Sequence, residues 1–315
     1  MQTAIAKYAA RPSSLRSLKR KKYMWAYLFT LPQLLMYVLF TLYPILMSYV
    51  YVLFDWYGIG PLEKFVGLDN VRYILQNAQF WQAARISFLY IAGVIALVMP
   101  ASLLMAIILN STFIKGKVVF RTAFFIPVVS TTAIVGVIMR YIFGNEGALV
   151  NSLLMKLGII EQPVHWLLES TSALIILILV GAWLQFGMKM IYWLAALQAL
   201  PQDVYEAGKI DGCNAWKSFR HITLPLLMPA AAVILLLSIV NGFNVFDLAM
   251  TLTGGGPYFA TTTVDLFIYK LVFTSGLPRI GVGSAAGIVF GLMVFAVTLL
   301  LSGLVKVMRD RYGTK

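Results

Sequence analysis

Six stretches of this chain, at about 24–53, 84–110, 122–143, 171–196, 226–247 and 282–305, are long and almost wholly apolar. Each meets the requirement of about 20 mostly apolar residues for a helix that crosses a bilayer. A closed barrel needs many short segments of alternating polarity instead, and no such alternation runs through the chain. The pattern therefore predicts an all-α membrane protein with six transmembrane helices. One polar island interrupts it, residues 200–225, between the fourth and fifth stretches.

Composition agrees: mean hydropathy is +0.84, and 12% of residues are charged against about 25% in an average soluble domain. The net charge of +13 raises the question of nucleic acid, and its distribution answers it. Residues 1–22 carry seven Lys/Arg and no acid, and the 111–121 loop adds Lys115, Lys117 and Arg121. The island and its approach add Lys189, Lys209, Lys217 and Arg220; the tail adds Lys306, Arg309, Arg311 and Lys315. Eighteen basic residues thus fall on one set of loops, against five (Lys64, Arg72, Lys156, Lys270, Arg279) on the other, which holds eight acids. Basic residues favour the cytoplasmic side, so both termini and the island are expected there. The charge follows membrane topology and leaves no nucleic-acid surface.

Three parts follow from this map: a basic cytoplasmic arm at 1–22, which can also meet anionic lipid headgroups, a six-helix transmembrane region at 23–305, and a basic tail at 306–315. The first span is too long, too aromatic and too interrupted by Pro32 and Pro44 to be a cleaved signal peptide, and is expected to be retained. The lone cysteine, Cys213, excludes an internal disulfide framework.

The island reads as a helix-turn-helix finger. Glu206, Ala207 and Lys209 suit a short helix, Gly212 a turn, and Ala215 to Phe219 the start of a second helix, with Asp211 expected to cap it. Pro225 and Pro229 then launch the fifth span, Pro225 near its first turn. A compact segment of small residues with a central Asp-Gly between two spans fits a docking site for a soluble partner; the alternative is an amphipathic helix resting on the membrane surface.

Elsewhere the chemistry is sparse. No Gly-x4-Gly-Lys-Ser/Thr phosphate loop occurs, so this chain is not expected to hydrolyse ATP itself; if it serves an ATP-driven process, the energy must come from a separate subunit. His165 and His221 are isolated, which leaves no constellation for metal or nucleophile chemistry. Arg140 reads as an interfacial side chain at the outer end of the third span. The span centres are expected to lack ionisable groups, which argues against a proton path. Their polar residues are neutral: Gln185 beside Trp183 in the fourth span, and Ser238, Asn241 and Asn244 in the fifth. Amides and hydroxyls among aromatics suit an uncharged polyol; equally, they suit hydrogen bonds between helices. The run Gly254-Gly255-Gly256-Pro257 predicts a loop free to take positive φ and to approach another surface.

The island carries a resemblance. Glu206-Ala207-Gly208, Asp211-Gly212-Cys213, Phe219, Ile222 and Leu224-Pro225 resemble the cytoplasmic EAA loop of ABC importer permease subunits, with Gly208 and Cys213 where alanine is usual. Phe65-Val66-Gly67-Leu68-Asp69-Asn70 with Phe80-Trp81, and Gly254 to Pro257 followed by Thr261-Thr262-Thr263, resemble the first permease subunit of the sugar type, similar to the maltose and glycerol-phosphate permeases.

The resemblance implies a type I importer permease fold in the bacterial cytoplasmic membrane. Its finger would be the coupling helix, formed by Glu206, Ala207, Gly208, Asp211, Gly212 and Cys213. Partners would be a second permease subunit, two ATPase subunits that hold the ATP and Mg, and an extracytoplasmic solute-binding protein. No cofactor is expected in this chain. By alignment with the maltose permease subunit, the sugar path would include Trp183 and Ser238, with two asparagines falling on Gly242 and Val245, each one residue after Asn241 and Asn244. The expected cargo is a neutral oligosaccharide; glycerol phosphate or an acidic, pectin-type oligosaccharide is the alternative, and a stand-alone secondary transporter the remote one.

Overall fold

The computed structural model describes residues 12–312 except 112, 145, 146 and 275, with side chains described from Leu18 to Gly303. The first eleven residues of the basic arm, the end of the tail and Glu146 lie outside the described residues.

Among the described residues the regular structure is helical, apart from one isolated bridge between Phe54 and Phe65. In order it forms α1 (Pro12–Tyr37), a π-turn (Val38–Leu42), α2 (Tyr43–Tyr51), α3 (Asp69–Gln76), α4 (Ala78–Asn110), α5 (Lys117–Val129), α6 (Thr132–Phe143), α7 (Leu149–Lys156) and α8 (Ser170–Gln198). Then follow α9 (Gln202–Ile210), α10 (Ala215–Ser218), a π-turn (Phe219–Thr223), α11 (Leu224–Gly242), α12 (Phe246–Leu252), α13 (Val264–Tyr269), a π-turn (Lys270–Thr274) and α14 (Ile280–Tyr312). Five continuous helical runs are long and apolar enough to span a bilayer: Leu18–Tyr51, Ala78–Asn110, Ser170–Gln198, Ala215–Gly242 and Ile280–Gly303.

The third expected span departs from the prediction. Residues 122–143 are not one helix: α5 and α6 meet at 97°. α5 runs through Pro127 to Val129, and the chain breaks just beyond it, where Ser130 and Thr131 are extended, with ψ of 141° and 120°. The Ser130 hydroxyl satisfies the Ile126 carbonyl at 3.0 Å. The fifth span ends at Gly242, short of the expected 247, and the chain restarts as α12.

Proline placement explains two of the π-turns. Pro44 and Pro225 each follow one at the second residue of the next helix. A wider turn accommodates the carbonyl that the proline leaves without a donor. Pro225 therefore sits within a helix already running from Ala215, not at the start of a new one.

Three apolar clusters stack along α4. The first gathers Phe80, Ala83 and Ala84 with Val264, Val282 and Ala285; the second Tyr90, Val94 and Val98 with Leu177, Val180 and Leu252; the third Ala106 and Leu109 with Met190, Trp193 and Leu227. Small residues let the helices approach, which supplies the van der Waals contact that drives association in lipid. Gly181 faces the Tyr90 hydroxyl across α4 and α8, and Gly187 faces the Phe124 carbonyl across α5 and α8. The most apolar part of the first span buries nothing inside this chain.

The loops at the end of the bundle away from the 200–225 island are locked by side chains. Asn70 donates to the Val52 and Phe54 carbonyls, both at 2.9 Å. Asn151 donates to the Val164 carbonyl (2.9 Å) and accepts from Trp166 Nε1 (2.8 Å). The Gly254 to Pro257 run differs from the free loop expected. Gly254 and Gly255 do take positive φ, 63° and 84°. However, Thr261 and Thr262 donate to the Gly256 and Gly255 carbonyls at 2.6 and 2.8 Å, and Lys270 Nζ donates to that of Gly254 at 2.6 Å. Those internal bonds pin the loop to its own element.

Candidate coupling finger and transport cavity

The island folds as the helix-turn-helix finger that its sequence predicts. α9 ends on Asp211, and Gly212 takes the left-handed conformation at φ +74°. Gly212 N–H donates to the Lys209 carbonyl (3.1 Å) and Cys213 N–H to that of Gly208 (2.9 Å). This pair of bonds is the Schellman closure of a helix. The cap on the second helix is Asn214, whose Oδ1 accepts from Lys217 N–H at 2.8 Å; Asp211 ends the first helix instead of starting the second.

Gly208 is buried, and a Cβ there would stand 2.6 Å from Ile222 Cδ1. Its smallness thus serves packing of α9 on the following π-turn, together with Tyr205 Oη and Thr223 Oγ1 at 3.0 Å. Cys213 is half-buried. The outward side carries Glu206, Ala207, Lys209, Asp211 and Gly212, with Ile210 86% and Trp216 64% exposed. A cleft of about 620 Å³ beside the finger is lined by Asn110, Gln198, Tyr205, Glu206 and Lys209.

A second cavity, of about 430 Å³, lies where the third span breaks. Its volume falls within the range of about 300–1,000 Å³ for small-molecule sites. Four of the seven path residues proposed from sequence line it: Gln185, Asn241, Asn244 and Val245. Three do not. Trp183 is 46% exposed on another face of α8, because two residues along a helix turn the side chain by about 200°. Ser238 is buried and donates to the Ile234 carbonyl at 2.6 Å within its own helix. Gly242 is buried against Ile91, where a Cβ would stand 3.0 Å from Cγ1, and so serves the contact of α11 with α4.

The cavity also holds residues that sequence reasoning missed. Ser130 and Thr132 enter through the break, and Tyr90 from α4. Pro127 followed by Ser130-Thr131-Thr132 was the available signal. Lys189 lines it as well, 1% exposed. The expectation that the span interiors carry no ionisable group is therefore corrected: Lys189 stands nine residues inside the end of α8, about 13 Å along the axis. Among the described residues its ammonium has no hydrogen-bond partner, and neither has the Gln185 carbonyl oxygen that lines the same cavity.

The sequence profile of the binding-protein-dependent transport system inner membrane components matches residues 95–313. The chain belongs to that family of ABC importer permeases. Relatives of this permease include the arabinooligosaccharides transport system permease protein AraP of Bacillus subtilis, 35% identical over 93% of this chain and 92% of its own length. The lactose transport system permease protein LacF of Rhizobium radiobacter is 32% identical over 91% and 96%. The trehalose/maltose permease MalF of Thermococcus litoralis is 32% identical over 93% and 97%. In fold, the permease matches a bacterial ABC transporter involved in the import of the acidic polysaccharide alginate, with a TM-score of 0.79, 22% identity, and 93% and 98% of the two chains covered. It is a multi-pass subunit of the bacterial cytoplasmic membrane.

Proposed function

We propose that this permease forms, with a second permease subunit, the path of an ATP-driven importer of oligosaccharides. Cargo arrives from an extracytoplasmic solute-binding protein. ATP and Mg are held by two ATPase subunits that engage residues 200–225 on the cytoplasmic side. The chain itself contributes no ATPase site and needs no cofactor. The observation that carries this reading is the pairing of the two sites: an outward-facing finger with exposed Glu206, Ile210 and Trp216, and an amide-lined cavity bounded by the helices on either side of it. The relatives named for arabinooligosaccharides, lactose and trehalose/maltose support the cargo class.

In mechanism, the finger moves with the ATPase dimer and carries α8 and α11 with it, opening the cavity alternately to either side. Gln185, Asn241 and Asn244 offer donors and acceptors that replace water on sugar hydroxyls during passage. The test is uptake of labelled oligosaccharides into proteoliposomes holding the complete importer and ATP. Uptake should need the binding protein and stop when the finger is disrupted. Uptake without ATPase subunits would instead support a stand-alone transporter and end this reading.

A further inference from the structure

The cavity contains a cation with no counter-ion. Lys189 is 1% exposed, its Nζ has no hydrogen-bond partner among the described residues, and it lies over the Tyr192 ring, with the centroid at 5.8 Å. None of the residues lining the cavity is acidic. Among the described residues the one ion pair, Lys64 with Asp55, belongs to the first outer loop. An unpaired ammonium at this depth is costly, and such residues face an interior path or a partner that compensates them.

A second feature faces the same space. α6 begins at the break, Thr132 lines the cavity, and no side chain caps that terminus. The first N–H groups of a helix lack intrahelical acceptors and carry partial positive charge, so they attract anions. Discontinuous helices in transporters bind anionic groups by this means. A buried lysine and an uncapped helix start thus converge on one cavity whose other polar groups, Gln185, Asn241 and Asn244, are neutral amides.

We propose that the cavity is an anion subsite that takes the carboxylate of an acidic saccharide, so that the cargo is a uronate-bearing oligosaccharide. Lys189 pairs with the carboxylate, the α6 terminus donates to it, and the amides serve the hydroxyls of the same sugar unit. This assignment rests on the oligosaccharide reading above and replaces the neutral cargo expected from sequence.

The test uses the complete importer in nanodiscs without nucleotide, and equilibrium binding of two labelled probes: trigalacturonate and its carboxyl-reduced, neutral counterpart. The native importer should bind the acidic probe more tightly. Lys189→Gln should weaken that binding about tenfold to a hundredfold, the loss expected for one charged hydrogen bond, and leave the neutral probe unchanged. Lys189→Arg should restore the preference. Equal loss for both probes would overturn the proposal. So would a fall in assembled complex with acidic binding per complex intact, which would mean that Lys189 pairs with the second permease subunit. Binding of both probes without preference would sink the acidic cargo alone, whereas binding of neither would remove the oligosaccharide reading and this one with it.

Discussion

Gly212 sets the shape of the finger, and substitutions there separate backbone geometry from side-chain chemistry. At φ +74° an added Cβ meets nothing within 4 Å, so space is not the obstacle. The cost is conformational. Forcing an ordinary L-residue into the left-handed region takes roughly 1–2 kcal/mol, while asparagine tolerates it. Gly212→Ala should therefore weaken the ATPase-competent finger by about fivefold to thirtyfold, and Gly212→Asn by much less. Proline is worse, because its φ is fixed near −65° and it has no N–H. It loses the bond to the Lys209 carbonyl and the Cys213–Gly208 closure that depends on the same turn.

The assay is co-purification of ATPase subunits with the complex, alongside uptake per assembled complex. The expected order is Gly, Asn, Ala, Pro, with proline inactive but still inserted in the membrane, since the spans do not depend on this turn. If alanine matched asparagine, or if proline retained coupled uptake, the left-handed closure would not be what presents the finger.

Other outcomes follow from the same geometry. Reporter fusions at Lys315 and within 147–165 should report opposite compartments, given the bias of basic residues, seventeen to five once the buried Lys189 is set aside; a shared compartment would refute the topology. Asn241→Ala and Gln185→Ala should each lower uptake per assembled complex by about twofold to tenfold, the value of one hydrogen bond, whereas Ser238→Ala, which removes a bond within α11, should not. The purified chain alone should show no ATPase activity, and robust turnover by it would end the division of labour proposed here. Gly187→Ala should lower thermal stability by about 1–3 kcal/mol, because the added methyl meets the Phe124 backbone. Gly181→Ala meets the Tyr90 hydroxyl instead and should be partly rescued by Tyr90→Phe.

The spans and the finger were legible because both rest on composition and local chemistry: apolar runs of sufficient length, and a glycine between two helix-forming segments. The break in the third span was not. Pro32, Pro100 and Pro229 all sit inside continuous helices, so Pro127 alone does not distinguish a kink from a break. What differs is the run of hydroxyls after it, which can satisfy the freed backbone. Trp183 and Gln185 are a different matter: helical geometry alone forbids both from facing one cavity, although one came from the alignment with the maltose permease subunit and the other from the inventory of neutral polar residues. Lys189 was read as part of the cytoplasmic approach because it is basic and near the island. Only the packing of α5 and α4 around α8 shows which way its face turns.

In the mechanism proposed above, the placement of the finger would carry its motion to the cavity. α8, which carries Gln185 and Lys189, ends at Gln198, and α9 starts at Gln202. On the other side, α10, the π-turn and α11 form one continuous run from Ala215 to Gly242. Asn241 lies 26 residues along that run, about 39 Å from its start. Were α11 to tilt by about 10° with the finger, Asn241 would move by about 7 Å over that lever, enough to part it from an opposing amide. α6 has no such connection to the finger and packs against α12. The break between α5 and α6 thus lets the cavity wall at Ser130 and Thr132 stay with the outer elements while the α8 and α11 walls follow the cytoplasmic ones. A straight third span would join the two levels rigidly and oppose the motion. Irregular backbone at membrane depth is tolerated where it lines a cavity, and here it lies between the parts that must move separately.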